Sequence, residues 1–386
     1  MTSSGEPGRP LRVLVLTVAH PPQDARIRVR QIGALRARGH AVTYAAPFSA
    51  FGVDPRVDVP EVDPVDLPRA VGLRRTRALL VAARHALAVV RRHDVVLAHD
   101  PELIPLLLLL RRWSPRTAVV WDAHEDVPAQ AHMAPGVPGR LRRPLARLLG
   151  ILERVAEHEL HLLLAEHGYV SRFRRVHPVV PNTPRVPPAR PAAVETTGSR
   201  PHRVVYVGAL TVARGLEEML ELARRLPEDV VLEVVGNARP DVQARLREAA
   251  SASGGALVHH GFVPNELALA HLPGAVAGLV LLHDHANYAH SRFTKVMEYM
   301  AHGVPVITTA NPEAARLVRE TGAGVVVGFG DVDAVLEAVL ALRDAPDARR
   351  RMGEAGHAVA LAEHDWNRDG AAFVDLLEGW AARARA

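Results

Sequence analysis

Residues 11–46 read L-R-V-L-V-L-T-V-A-H-P-P-Q-D-A-R-I-R-V-R-Q-I-G-A-L-R-A-R-G-H-A-V-T-Y-A-A, and this stretch decides the fold. Residues 11–18 form a short apolar run bounded by polar residues, of strand length. H-P-P-Q-D at 20–24 then breaks the chain, because proline neither donates a backbone hydrogen bond nor follows a helix. Residues 25–38 carry Ile27, Ile32, Ala34 and Leu35 on one side and end at Gly39, the pattern of an amphipathic helix. A second strand, 41–46, follows at once. Strand, loop, helix and strand in that order open a doubly wound parallel α/β sheet.

The alternation continues outward. A helix over 70–92, a strand over 94–98, a helix over 101–112 and a strand over 118–121 are expected, then a long basic helix over 140–164. A Pro-rich, small-residue stretch follows, V-V-P-N-T-P-R-V-P-P-A-R-P-A-A-V-E-T-T-G-S-R-P, which suits neither a helix nor a central strand. It marks a linker at 183–201 between an amino-terminal domain, 1–182, and a carboxy-terminal domain, 202–366. The second domain restarts the pattern with strands at 203–207, 230–235, 256–259, 277–282 and 304–308, and helices between them. Residues 367–386 form a last helix.

Bulk composition agrees. The 386 residues are enough for two domains with a core each, and 48% hydrophobic with 23% charged residues is a globular balance. The absence of cysteine excludes disulfide and thiolate chemistry. The amino terminus carries no signal-peptide pattern, and the longest apolar run, 103–110, is too short for a bilayer, so a cytoplasmic protein is expected. Residues 1–190 hold 28 Arg against 17 acids, or +11; the remainder holds 47 − 28 = 19 cations and 42 − 17 = 25 acids, or −6. Two domains facing different partners are implied. With aromatics at 4% and no recognition motif, nucleic acid is not one of them.

Two segments of the second half carry candidate chemistry. In V-Y-V-G-A-L-T-V-A-R-G-L-E-E-M-L, Gly208 follows a buried strand and Arg214-Gly215 precedes a helix. Backbone N–H groups in such a turn reach a diphosphate, and an arginine grips its oxygens in pairs. In N-Y-A-H-S-R-F-T-K-V-M-E-Y-M-A-H-G-V-P-V-I-T, Ser291 or Thr294 caps a helix with Lys295 in its first turn and Glu298 three residues on. Lys295 is the only lysine among the 47 cations. A compact ammonium at a helix start suits a phosphate, and the carboxylate beside it a ribose diol. Taken alone, these are equally an ordinary turn with a solvated arginine and a surface ion pair on a capped helix.

Together, and about 80 residues apart, the two segments resemble the carboxy-terminal domain of family 4 glycosyltransferases of the GT-B fold. The opening stretch is similar to that family's first strand, acceptor loop and first helix. L-A-H-D-P-E-L-I-P, V-V-W-D-A-H-E-D-V-P, V-V-P-N-T-P-R and H-D-W-N resemble its later segments. The resemblance implies two Rossmann-like domains facing across a cleft, with the last helix returning to the first domain. It implies that Gly208, Arg214, Thr294 and Lys295 hold the donor diphosphate and Glu298 the ribose. His124 would face the donor sugar, and catalysis would rest on His124, Arg214 and Lys295. His20 and Asp24 would lie on the acceptor side, and Asn182 is either a hinge cap or a sugar contact.

The sequence departs from the widespread pattern at His290, where the family has a second glutamate, and at Ala209, where it commonly has arginine. The implied activity is a retaining transfer from a nucleoside diphosphate sugar, most often a UDP-sugar, to a saccharide, lipid-linked or natural-product hydroxyl. The cations stabilise the leaving phosphate, so neither metal nor cofactor is expected. Asp331-Val-Asp333 reads as a helix start, and Glu125 and Asp126 are candidates for a competing base. The basic, leucine-spaced residues 139–155 form either a core helix with a solvated face or a peripheral contact with an anionic membrane. A sugar-nucleotide epimerase of the same fold and a degenerate nucleotide-sugar-binding partner subunit are the alternative functions.

Overall fold

The computed structural model describes residues 9–123, 139–192, 201–285, 288 and 294–386, apart from the side chains of 139–142 and 145. The chain divides into two compact units, Met1–Asn182 with Arg368–Ala386, and Thr183–Asn367.

The first unit is built on strands β1 (Arg12–Leu16), β2 (Ala41–Ala46), β3 (Asp63–Asp66), β4 (Val95–Ala98), β5 (Ala118–Ala123) and β6 (His161–Leu164). They pair in the order β3-β2-β1-β4-β5-β6, and each neighbouring pair is parallel. The second unit repeats this with β7 (His202–Val207), β8 (Val230–Val235), β9 (Leu257–Gly261), β10 (Ala277–Val280), β11 (Val306–Thr309) and β12 (Gly324–Val327). Its order, β12-β11-β10-β7-β8-β9, is the same winding read from the other edge, also parallel throughout. In each sheet the chain order reverses between the first and fourth strands, β1/β4 and β7/β10. Crossover helices there depart to opposite faces and leave a crevice at the strand carboxyl ends, where ligands of doubly wound sheets bind.

The central strands are buried on both faces, as parallel sheets require. Val13–Leu16, Val95–Ala98, Ala118–Ala123 and Val204–Tyr206 are all inaccessible to solvent or nearly so. Glycine allows close approach beneath the second sheet. A Cβ on Gly278 would stand 2.4 Å from the Tyr299 ring, so that ring packs directly on β10.

Several expected boundaries shift. The helix expected over 25–38 is a π-helix, Ala25–Ile32, followed by a short α-helix, Gly33–Ala37. The wider turn carries Arg26, Arg30 and Gln31 into the interior. The basic helix expected over 140–164 stops at Glu159, and His161–Leu164 is the edge strand β6. A histidine and three leucines are equally compatible with buried helix or strand, and pairing with β5 decides for strand. Strand β3, D-P-V-D, was not expected from its polar sequence; a proline is tolerated there because the strand lies at an edge. The last helix, Trp366–Arg385, packs within the first unit: Trp380 stacks on His161 at 4.7 Å, and Arg385 pairs with Asp94 at 2.8 Å.

Candidate active site

The carboxyl ends of β7 and β10 bring together most of the residues read from the second half. Gly208 closes β7 with φ +136°, and a Cβ there would approach the Lys295 Nζ to 3.0 Å. Gly236, at the end of β8, is packed so closely that its Cβ would lie 1.9 Å from the Gly208 carbonyl oxygen. Both turns are thus pressed backbone to backbone, tied by Gly208 N–H to Val235 O at 2.9 Å and Leu210 N–H to Asn237 O at 2.9 Å. The loop ends in a 3-10 turn, Val212–Arg214, and Gly215 at φ +86° starts the helix Leu216–Arg225. A side chain at 215 would strike Leu281 at 2.5 Å, so glycine is required by both angle and space.

Lys295 is the second residue of the helix Thr294–Ala301, and its ammonium lies 3.9 Å from the centre of the Tyr206 ring. Burial drives its pKa well below the ordinary lysine value, Arg214 adds to the depression, and Glu298 opposes it. Arg214 also hydrogen-bonds the hydroxyl of Tyr206, which burial holds above its ordinary pKa. That hydroxyl donates to Ala209 O at 2.7 Å. Two cations therefore meet at one tyrosine, Lys295 over its ring and Arg214 at its hydroxyl, where burial disfavours the charge of Lys295. An anion bound between them removes that penalty and gains charge-assisted hydrogen bonds.

Glu298 is buried at 6% exposure, and the Asn265 amide donates to its Oε1 at 3.4 Å. Tyr299, next along the helix, anchors the cluster. Its hydroxyl accepts from Val207 N–H at 3.0 Å and donates to Leu279 O at 3.3 Å, bridging β7 and β10. The neutral Tyr299 phenol, held so by burial, fixes the helix bearing Lys295 and Glu298 against the sheet ends. Thr294 begins that helix and is half-buried; Ser291, the other capping candidate, lies outside the described residues.

His20 and Asp24 belong to the first unit, at the end of β1. The His20 Nδ1 meets Asp100 Oδ1 at 2.6 Å, and the buried Asp100 also accepts from Thr17 Oγ1 at 2.8 Å and from Val18 N–H. Burial pushes the Asp100 carboxyl up, but these bonds, His20's first, hold it below the usual range. Asp24 caps the π-helix, accepting from Arg26 N–H at 2.9 Å and Ile27 N–H at 3.1 Å. Beneath it Arg26 grips Asp122 with two bonds of 2.7 Å, and Gln31 adds a third of 2.8 Å. Asn182 is half-buried at the end of the first unit. His124, Glu125, Asp126 and His290 lie outside the described residues. Asp331 caps the helix Val332–Asp344 by accepting from Ala334 N–H, as a helix start should.

Sequence reading overlooked Tyr206, Tyr299, Asp100 and Asn265. Tyr206 stands two residues before Gly208 and so points the same way along β7, a period-2 signal that was available. Nothing local marks Asn265, which reaches Glu298 across the fold.

Twin 3-2-1-4-5-6 sheets, the second with Lys295 and Arg214 at its switch point, define a GT-B architecture. Residues 193–359 match the family model described as "Glycosyl transferases group 1". A GDP-mannose-dependent alpha-(1-6)-phosphatidylinositol monomannoside mannosyltransferase of Mycolicibacterium smegmatis is 29% identical over 199 residues, 50% of this chain and 52% of that protein. The match thus spans about half the length of the relative. Among solved structures, sucrose-phosphate synthase from Thermosynechococcus elongatus superposes with a TM-score of 0.72 at 17% identity, covering 97% of this chain and all of that one. Anabaena HepE in complex with UDP-glucose gives 0.69 at 13% identity, over 96% of this chain and 100% of its own. The matched group 1 glycosyltransferase segment lies within the second unit, and the chain as a whole shares the fold of these solved structures. An epimerase or a degenerate partner subunit is not favoured by these matches.

Proposed function

We propose that the protein transfers a sugar from a nucleoside diphosphate sugar to an acceptor hydroxyl with retention of configuration. One observation carries this reading: Lys295 lies over the Tyr206 ring and Arg214 bonds the hydroxyl of that tyrosine, beside two abutting glycine turns, with Glu298 alongside. In this role the cations and loop N–H groups hold the diphosphate, and their fixed charge stabilises the leaving group as the glycosidic bond breaks. Glu298 receives the ribose hydroxyls, with Asn265 orienting its carboxylate. By the resemblance, His124 is assigned to the donor sugar and His20 and Asp24 to the acceptor. The phosphate chemistry needs no metal.

UDP-sugars are the first donors to test, since the fold is shared with a protein crystallised with UDP-glucose. A second reading, GDP-mannose, is supported by the name of the mycobacterial relative. The acceptor is a saccharide, lipid-linked or natural-product hydroxyl. Among the described residues no helix is long and apolar enough to cross a membrane. Peripheral contact through residues 139–155 is supported by exposed Leu148, Ile151 and Val155, spaced along one helix with Arg147 and Arg154 exposed beside them. Flotation with anionic vesicles tests that contact; equal recovery with neutral vesicles would discount it.

The deciding experiment is calorimetric titration with UDP, GDP, ADP and TDP, with and without EDTA. Selective binding of one nucleotide, unchanged by EDTA, is expected. Binding of none would remove the donor assignment. With the donor known, His124→Ala should lower turnover more than nucleotide affinity, and unaltered turnover would take His124 out of the site.

A further inference from the structure

Glu233, His260 and His271 are far apart in sequence and belong to none of the donor-site groups, yet they converge on one patch of the second unit. Glu233 lies on β8. His260 is the extra residue of a β-bulge in β9, where the pairing steps from Val234↔His259 to Val235↔Gly261. Bulges re-aim side chains and are enriched beside functional sites. His271 follows the short helix Asn265–Leu269.

One ligand atom from each residue lies within 4.8 Å of the others. The Glu233 Oε2 stands 3.1 Å from His271 Nδ1 and 3.8 Å from His260 Nε2. A tetrahedral zinc ion with bonds of about 2.0–2.1 Å sets its ligand atoms about 3.3 Å apart, so these spacings bracket the required edge. The two imidazoles meet at 4.4 Å between centroids and 51° between planes, turned so that both can address one point. Fractional exposures of 15%, 30% and 28% for the three side chains leave room for water as a further ligand.

Arg203 is the competing group. Its guanidinium donates to Glu233 Oε2 at 3.4 Å, but its shorter bonds go to His271 O at 2.6 Å and Pro273 O at 2.7 Å. It therefore braces the segment carrying His271 over the sheet while sharing the carboxylate. We propose that Glu233, His260 and His271 bind a borderline divalent cation, zinc being the best match to two imidazoles and one carboxylate. The cation would tie β8 and β9 to the turn beginning at Asn265, the residue that reaches Glu298. It would act on the stability of that turn, not on the leaving phosphate.

The test uses tag-free, full-length protein stripped with a chelator and titrated with Zn²⁺ by calorimetry, and with Co²⁺ by visible absorption. One equivalent should bind and raise the melting temperature. H260A and H271A should each weaken binding by at least about tenfold, with circular dichroism unchanged in EDTA. H259A, one residue away on the same strand, should keep the parent affinity. Parent-like zinc affinity in the H260A/H271A double variant would overturn the site. So would an equal loss in H259A, which would signal diffuse binding among the 21 histidines. No saturable binding by the folded parent would overturn it too.

Discussion

Replacing Lys295 by methionine deletes the ammonium and keeps an apolar stem over the Tyr206 ring. A hydrogen bond to a charged group contributes about 1.5–3 kcal/mol. At 1.4 kcal/mol per decade, affinity for the nucleoside diphosphate should fall by about 10- to 150-fold. The unliganded fold should not suffer, because the lost charge is one that burial and Arg214 already oppose. A pH signature separates this from generic damage. The Lys295 pKa is depressed in the fold, so its charged form costs stability at low pH. That cost fades as pH rises from the depressed value towards the ordinary one. A bound diphosphate favours the ammonium and reverses the shift. Nucleotide binding should therefore take up protons and weaken as pH rises through the same window. Titration calorimetry in two buffers of different ionisation heat measures the uptake directly. Lys295→Met should abolish both the uptake and its pH dependence, with the melting temperature unchanged or raised. Parent-like affinity in the folded variant would refute the phosphate assignment, and undiminished proton uptake would move it to another group.

Two further outcomes concern the first unit. Arg26→Met strands the fully buried Asp122, now held by two bonds of 2.7 Å from that guanidinium, and should cost about 3–5 kcal/mol. Urea unfolding of the first unit measures it, and a change below about 1 kcal/mol, the scale of a surface pair, would contradict the burial. Burial lowers His161 from 6.5 to about 4 where it stacks on Trp380, with Arg383 and Arg111 adding to the shift. Its contribution is present above 6.5 and lost as pH falls towards about 4, loosening the last helix. In His161→Phe the melting temperature should depend less on pH over that range, and an unaltered profile would assign the acid sensitivity elsewhere.

The sequence by itself determined the winding of both sheets. Apolar runs of strand length alternating with amphipathic helices can only bury both faces of a parallel sheet, and that periodicity is local. It also singled out Gly208, Arg214 and Lys295 as candidates for a phosphate, because they sit at strand-to-helix junctions that can be read from a few neighbouring positions. Tertiary structure decided what required distant residues to meet. Whether His161–Leu164 became helix or strand depended on β5, 38 residues or more away along the chain from Ala123. That Lys295 would lie over Tyr206, that Tyr299 would bridge β7 and β10, and that Asn265 would reach Glu298 depended on how helices pack over strand ends. The Glu233–His260–His271 cluster depended on a bulge of one residue. Periodicity records which face a residue occupies; only packing decides what that face meets.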